Sequence, residues 1–424
     1  MTRAVTFPFA LGQIAVAILA ASSPLPACRR QSDVVCFARW LSLRDKDAPP
    51  GRGRVILAFL DDAYSIVGLN WAMAPGIQAL PSRNWGFIAL SRSAYVIAQE
   101  LNMPVVCEPL FCGPEALADG DSRNDTLPMG LVGTRGLWYY RTHVLLRLAH
   151  SLEDGHGIIF SDADAVWIRN PLREWLPPFG SASRHPSPEL ESLPLERAVL
   201  RQLGHSLSSA DIVASSGIFP KSLGWRHTIC MGLLLLRISP GTRAVLSRAM
   251  EAAPHETDAQ RFDDQRNVNT ALKEWFAVRW HFRDPGRRLP SVGEGRGAAV
   301  WQPQLAHADP PRSVSDPSFE PTPASQVPQQ SEVRVRVVLL PQETVTRYCG
   351  HRLRQGLRQM VKHCITPQKT KKDKMRSLKR NKVLFLNGSD VARVAILREA
   401  VLRDPGLFQR KYLDKWNALY PTPG

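Results

Sequence analysis

The sequence predicts an α/β domain built on a largely parallel sheet, and three observations carry that expectation. Apolar runs of strand length recur at Val55 to Leu60, Gly86 to Leu90, Val105-Val106 and Gly157 to Phe160. Segments with helical spacing of apolar residues lie between them, at Tyr95 to Leu101 and Leu137 to Leu152. This alternation is the pattern of buried strands whose crossover helices cover the sheet. At 424 residues and 44% hydrophobic content, the chain is long and apolar enough to bury the core such a sheet needs.

Taken in order, residues 1 to 30 are set apart from the rest. Arg3 precedes an uncharged stretch that ends at Arg29 and Arg30, with an apolar centre from Ala10 to Ala21. That centre is shorter than the ~20 residues that span a bilayer. The segment reads as a cleaved signal peptide or as an uncleaved signal anchor of a type II membrane protein. Either reading places the chain in an ER or Golgi lumen. Residues 31 to 53, rich in Pro, Gly and polar groups, read as a stem. Residues 54 to 282 hold the first part of the domain. Gly155 stops the helix that runs to Leu152, and Gly157 to Phe160 then leads as a strand into Ser161-Asp162-Ala163-Asp164. Residues 283 to 331 lose all periodicity among Pro, Ser, Gln and Gly, and are expected to be a disordered insertion. Residues 332 to 424 resume with a strand at Val333 to Leu340 and close with a helical tail from Val391.

A formal net charge of +16 suits an anionic small substrate or an anionic membrane surface. Nucleic acid is not the expected partner, because Arg is spread along the chain and no basic run is interleaved with aromatics. Of the seven cysteines, Cys107 and Cys112 are the nearest local pair, and the absence of any Cys-x-x-Cys argues against zinc. Two triplets, Asn124-Asp125-Thr126 and Asn387-Gly388-Ser389, have the form of N-glycosylation acceptors.

The Asp162 and Asp164 pair concentrates the chemistry. Asp is a poor strand former, yet here two carboxylates stand one residue apart at a strand's C-terminal end. In open α/β sheets that edge is where ligands bind. Hard oxygen ligands suit Mg²⁺ or Mn²⁺, which keep positions open for phosphate oxygens. A turn stabilised by capping aspartates is the alternative reading of the pair.

The string IIFSDADAVWIRNPL resembles the metal-binding motif of GT-A glycosyltransferases, and more narrowly that of the plant and algal nucleotide-diphospho-sugar transferase family, which includes arabinosyl-, xylosyl- and galactosyltransferases. AFLDDAYSIVGLNWAMAPG, NWGFIALSRSAYVIAQELNMPVV and WYYRTHVLLRLAHSLEDG are similar to the family's segments before that motif. DIVASSGIFPKSLGWRHTICMGLLLLRISPGT, DDQRNVNTAL, VRVVLLP and HCITPQKTKKDKMRSL are similar to those after it. The resemblance implies a GT-A (Rossmann-like) fold in a single large catalytic domain. It implies a retaining transferase that moves a sugar of the pentose or galactose class from a nucleotide diphosphate donor, a UDP-sugar, to a glycan or glycoprotein. It also implies Mn²⁺ (or Mg²⁺) held by Asp162, Asp164 and His363. Asp61, Asp162, Arg141 and Lys374 would meet the donor, and Asp264 and Gln265 would face the reacting sugar.

The chain departs from the family at three places. Ser91 stands where an Asp is usual, Arg141 lies where a Lys is common, and Ile365 with a lysine-rich stretch follows His363 in place of Asn and Gly. His363 also reads as a structural histidine, and Asp264 as an N-cap to the helix from Arg266 onward. Two competing functions share the motif. One is a degenerate transferase that binds nucleotide sugar or glycan as a scaffold. The other is a HAD-type phosphohydrolase with Asp162 as nucleophile.

Overall fold

The computed structural model describes residues 33–46, 48, 52–62, 64–80, 82–112, 126–127, 131–170, 210–216, 228–251, 263–274, 277–281, 334–340, 345–346, 361–363, 371–381 and 383–403. The expected signal segment and the expected insertion at 283 to 331 lie outside them.

The elements in chain order are α1 (Val34–Leu43), β1 (Arg54–Leu60), α2 (Ser65–Ala72), α3 (Pro75–Gln78), β2 (Trp85–Ala89), α4 (Arg92–Glu100), β3 (Val105–Cys107) and α5 (Pro109–Cys112). Next come β4 (Thr126–Leu127), β5 (Leu131–Val132), α6 (Gly133–Ser151), β6 (Gly157–Ser161), β7 (Ala165–Trp167), β8 (Ile212–Ser216), β9 (Ile229–Arg237) and α7 (Pro240–Glu251). The last are α8 (Asp264–Glu274), β10 (Ala277–His281), β11 (Arg334–Leu340), β12 (Val345–Thr346), β13 (Val361–His363), α9 (Lys371–Arg380) and α10 (Gly388–Arg403).

Eight strands form the main sheet in the order β10-β11-β8-β9-β6-β1-β2-β3. Only β9 runs against its neighbours β6 and β8, and every other pairing is parallel. The mixed, mostly parallel α/β sheet expected from the sequence is therefore present. β1 and β9 are apolar nearly throughout, as strands covered on both faces must be. α1 and α6 to α8 cover one face, while α2, α4 and α10 cover the other. One core runs from Val34 to Val401, so the described elements make one domain.

The stem expected over residues 31 to 53 is corrected by α1. Its Val34, Ala38 and Leu41 are fully buried in the core. Asp33 caps the helix by accepting from the Val35 N–H at 2.8 Å. Beyond it, Asp45 pairs with Arg54 at 2.6 Å, both side chains buried, which ties this stretch to the start of β1. The apolar helical face was hidden in a segment whose Pro and Gly all lie at its C-terminal end.

Two local devices set up the functional edge. Gly155 adopts φ +92°, a left-handed conformation that costs a glycine little, and turns the chain from α6 into β6. Asn70 of α2 uses its carboxamide as a strand would, donating to the Val383 carbonyl at 3.0 Å and accepting from the Phe385 N–H at 2.7 Å. That clamp anchors the segment leading into α10. A second, three-stranded sheet in the order β12-β13-β7 stands beside the main one. Cys107 and Cys112 form the expected disulfide.

Candidate active site

β6 ends at Ser161, which is fully buried and whose Oγ accepts from the indole N–H of both Trp71 and Trp167 at 3.1 Å. The strand end is thereby fixed from both sides. The next residue, Asp162, donates its N–H to the Gly232 carbonyl on β9 at 2.8 Å, and its own carbonyl accepts from Ala165 at 2.9 Å. This tight turn sends the chain back as β7 and leaves Asp162 and Asp164 on one side of it.

β13 supplies the third member. It runs antiparallel to β7 with His363 opposite Ala165. That register sets the imidazole over the turn, its Nε2 3.2 Å from Asp164 Oδ1 and 3.6 Å from Asp162 Oδ2. Ligand atoms of the three residues lie within 4.8 Å of one another. Burial disfavours a charged imidazole, but the charge and hydrogen bond of Asp164, helped by Cys230, hold the His363 pKa up at about 10. Without an ion the imidazole is held protonated between the carboxylates; a bound metal would have to displace that proton. Two carboxylate oxygens and one imidazole nitrogen are also a donor set that suits Mn²⁺ or Mg²⁺. The bare Cα of Gly232 makes room for the set, since a Cβ there would run into the His363 ring and come within 2.7 Å of Asp162 Oδ2.

Arg141, on α6, extends the cluster. Its Nη1 donates to Asp162 Oδ1 at 2.8 Å, and the rest of the guanidinium is bonded to Asp264 Oδ2. The side chain is only 8% exposed and lies over the Phe160 ring. Burial pushes the Asp264 carboxyl up to about 6, with Arg141 pulling it back, so the pair is ionised at neutral pH. The residue expected to face the donor thus joins the two acidic positions to each other. Sequence reading missed this bridge; the signal available was a buried arginine position on α6 facing a buried aspartate on α8.

At the start of α8 the capping residue is Asp263, whose Oδ1 accepts from the Arg266 N–H at 3.0 Å. The N-cap alternative for Asp264 is therefore corrected by one residue. Asp264 instead accepts from the Gln265 N–H at 2.7 Å with its second oxygen. Gln265 is half-buried, and its carboxamide has no hydrogen-bond partner among the described residues. Asn269 exchanges hydrogen bonds with the Ile229 backbone at 2.8 and 3.0 Å, which fixes the start of β9 and so the position of Gly232.

Asp61 lies at the same sheet edge, because β1 neighbours β6, and there it accepts from the Tyr64 N–H at 2.6 Å to open α2. Ser91 caps α4 and donates to Asp62 Oδ1 at 2.6 Å, and Ser93 donates to the same oxygen. The departure at Ser91 is thus paired with a carboxylate in the turn that follows the adjacent strand, β1. Lys374 lies on α9, and its side chain is outside the described residues.

A family model for nucleotide-diphospho-sugar transferases matches residues 137–378, more than half of the 424-residue chain. The chain belongs to that family. The match takes in most of α6, the acidic turn, α8 and His363. The transferase also shows weak likeness to solved structures. One is the galactosyltransferase LgtC in complex with donor and acceptor sugar analogs, at 14% identity over 53% of this chain and 75% of that one, with a TM-score of 0.30. Another is mouse xyloside xylosyltransferase 1, at 11% identity over 54% and 87%, with a TM-score of 0.31. A third is the glycosyltransferase GlyE of Streptococcus pneumoniae, at 11% identity over 53% and 44%, with a TM-score of 0.26. Likenesses at this level carry no argument about donor or acceptor. No curated protein matches the chain significantly. Family membership removes the phosphohydrolase alternative. Among the described residues no helix is long and apolar enough to cross a membrane.

Proposed function

We propose that this glycosyltransferase moves a sugar of the pentose or galactose class from a UDP-sugar to a glycan or glycoprotein, with retention, and with Mn²⁺ (or Mg²⁺) as its cofactor. The observation that carries the reading is the Asp162, Asp164 and His363 cluster at the C-terminal edge of the sheet. Those three residues would hold the ion, which when bound supplies positive charge to a departing diphosphate.

The remaining roles belong to the chain's own groups. Arg141 holds Asp162 and Asp264 in fixed relation, so the acidic turn and the start of α8 move as a unit. Gln265 would offer its carboxamide beside that pair to the sugar or the acceptor. Asp61 and Asp62 hold the ends of β1 and α4 at the edge where the nucleoside would lie, and Lys374 would add charge near the phosphates. An ER or Golgi lumen is part of the same proposal. The Cys107–Cys112 disulfide supports it, because disulfides persist in oxidising compartments.

The test is calorimetric titration of UDP with and without Mn²⁺, followed by nucleotide-release assays across a panel of UDP-sugars. Manganese-dependent UDP binding with turnover of one donor is expected. Binding indifferent to the metal would refute the metal assignment, and metal-dependent binding without turnover of any donor would favour the scaffold reading.

A further inference from the structure

β9 contributes no group to the metal cluster, yet it carries the residue that touches most of it. Gly232 lies inside a strand, where glycine packs poorly and marks a close approach of other atoms. Its carbonyl accepts the Asp162 N–H at 2.8 Å. Its Cα faces the His363 ring so closely that a Cβ would collide with Cε1, stand 2.9 Å from Nδ1 and stand 2.7 Å from Asp162 Oδ2. These three contacts differ in how they could yield. The Asp162 side chain is 32% exposed and is tied to Arg141 through Oδ1, which leaves Oδ2 able to turn aside. The imidazole is 7% exposed and is carried on β13, which is registered against β7. A ring held there has no room to retreat.

We propose that Gly232 is a positioning residue for His363, the absent side chain being the seat that lets the imidazole reach the two aspartates. The proposal rests on the reading of Asp162, Asp164 and His363 as metal ligands. Cys230, two residues earlier on the same face of β9, completes the seat, with its sulfur 3.5 Å from the Gly232 N. Any side chain at 232 would displace the ring from Asp164 and leave a two-carboxylate site. Loss of a group that orients a ligand commonly weakens metal affinity by about 10- to 100-fold.

The experiment is a double-mutant cycle on the full chain, reading Mn²⁺ affinity by calorimetry and folding by circular dichroism and thermal melting. The variants are G232A, H363A and G232A/H363A. In the expected result G232A weakens Mn²⁺ binding about tenfold or more, H363A does likewise, and the double variant binds as H363A does. Once the ring is gone, the methyl at 232 has nothing left to displace. Wild-type affinity in G232A would overturn the proposal, as would a double variant whose loss is the product of the two single losses. If G232A fails to fold, the double variant decides. Recovery of a cooperative melt on removing the ring supports the seat, and continued failure shows that 232 serves the strand alone. Wild-type protein that ignores Mn²⁺ would overturn the metal reading and the proposal with it, an outcome distinct from normal wild-type binding with an indifferent G232A.

Discussion

Replacing Arg141 with Met tests how the acidic cluster is held together. In the native chain this guanidinium serves Asp264, whose side chain is 2% exposed, and Asp162, whose side chain is 32% exposed. The second link is partly solvated and contributes at most about 1 kcal/mol. The first is different, because removing Arg141 leaves a buried carboxylate without its counter-charge, which costs about 3–5 kcal/mol. The cost is pH-dependent, and its sign follows from Asp264. Its folded-state pKa is already raised from 3.8 to about 6 by burial, with Arg141 opposing the rise. Without Arg141 it rises further, so the folded variant takes up a proton more readily than the unfolded chain and gains stability as the pH falls. R141M should therefore melt on the order of 5–10 °C below wild type at pH 8, with the gap closing towards pH 5. Because Asn is neutral and still accepts from Gln265, R141M/D264N should recover at least half of the loss at pH 8. The assay is thermal melting of the three proteins across that pH range. A pH-independent deficit, or no recovery in the double variant, would refute the account of Asp264 as a buried charge held by Arg141.

Three further outcomes are expected. Mn²⁺ at about 100 times its Kd should stabilise the wild type by ~2.7 kcal/mol and leave D164N unmoved, while D164N loses at least a hundredfold in turnover, about 2.7 kcal/mol of transition-state stabilisation; melting scans and nucleotide release report both. In chelator-treated protein, His363 contributes stability that is complete below pH 6.5 and fades as the pH rises towards about 10. H363Q should flatten that slope between pH 7 and 9.5, and an unchanged slope in the melts would contradict the pairing with Asp164. S161A strands two buried indole N–H groups, at about 1–3 kcal/mol each; a melt within error of wild type would show that the indoles find other partners.

What the sequence made legible was whatever is local in the chain. The apolar runs of β1, β2 and β6 and the Asp162–Asp164 spacing are short patterns, and each became an element or a turn at its expected place. The Cys107–Cys112 pairing is local in the same sense. What it concealed depends on pairing between distant segments. His363 came from the resemblance alone, since only the β13–β7 register, over nearly 200 residues of chain, sets it above Asp164. Gly232 was invisible because its role is defined by a ring arriving from another sheet. Asn269 lies within the DDQRNVNTAL segment, but its use as a backbone partner for Ile229 requires the packing of α8 on β9. α1 was mistaken for a stem because its helical face is short and its flanks are rich in turn-forming residues.

The charges of the cluster argue for how it works as a unit. Asp162, Asp164 and Asp264 bring a formal charge of −3 and Arg141 returns +1, leaving −1 while His363 is protonated and −2 once a bound ion has displaced that proton. A divalent cation at the Asp162–Asp164–His363 position would match that remainder, so the protein part of the site would be close to neutral with metal bound. A diphosphate approaching the metal-free carboxylates would meet repulsion; approaching the loaded site, it would meet no net opposing charge. Metal binding would then precede donor binding on electrostatic grounds alone. Arg141 is what makes the balance come out at −2, because it neutralises the one carboxylate that α8 buries and leaves the two at the turn for the ion. A lysine there would carry the same charge, but it lacks the planar fork that reaches Asp162 and Asp264 together. The departure from lysine is therefore a geometric solution: one side chain sets both the charge of the metal position and the placement of α8 beside it.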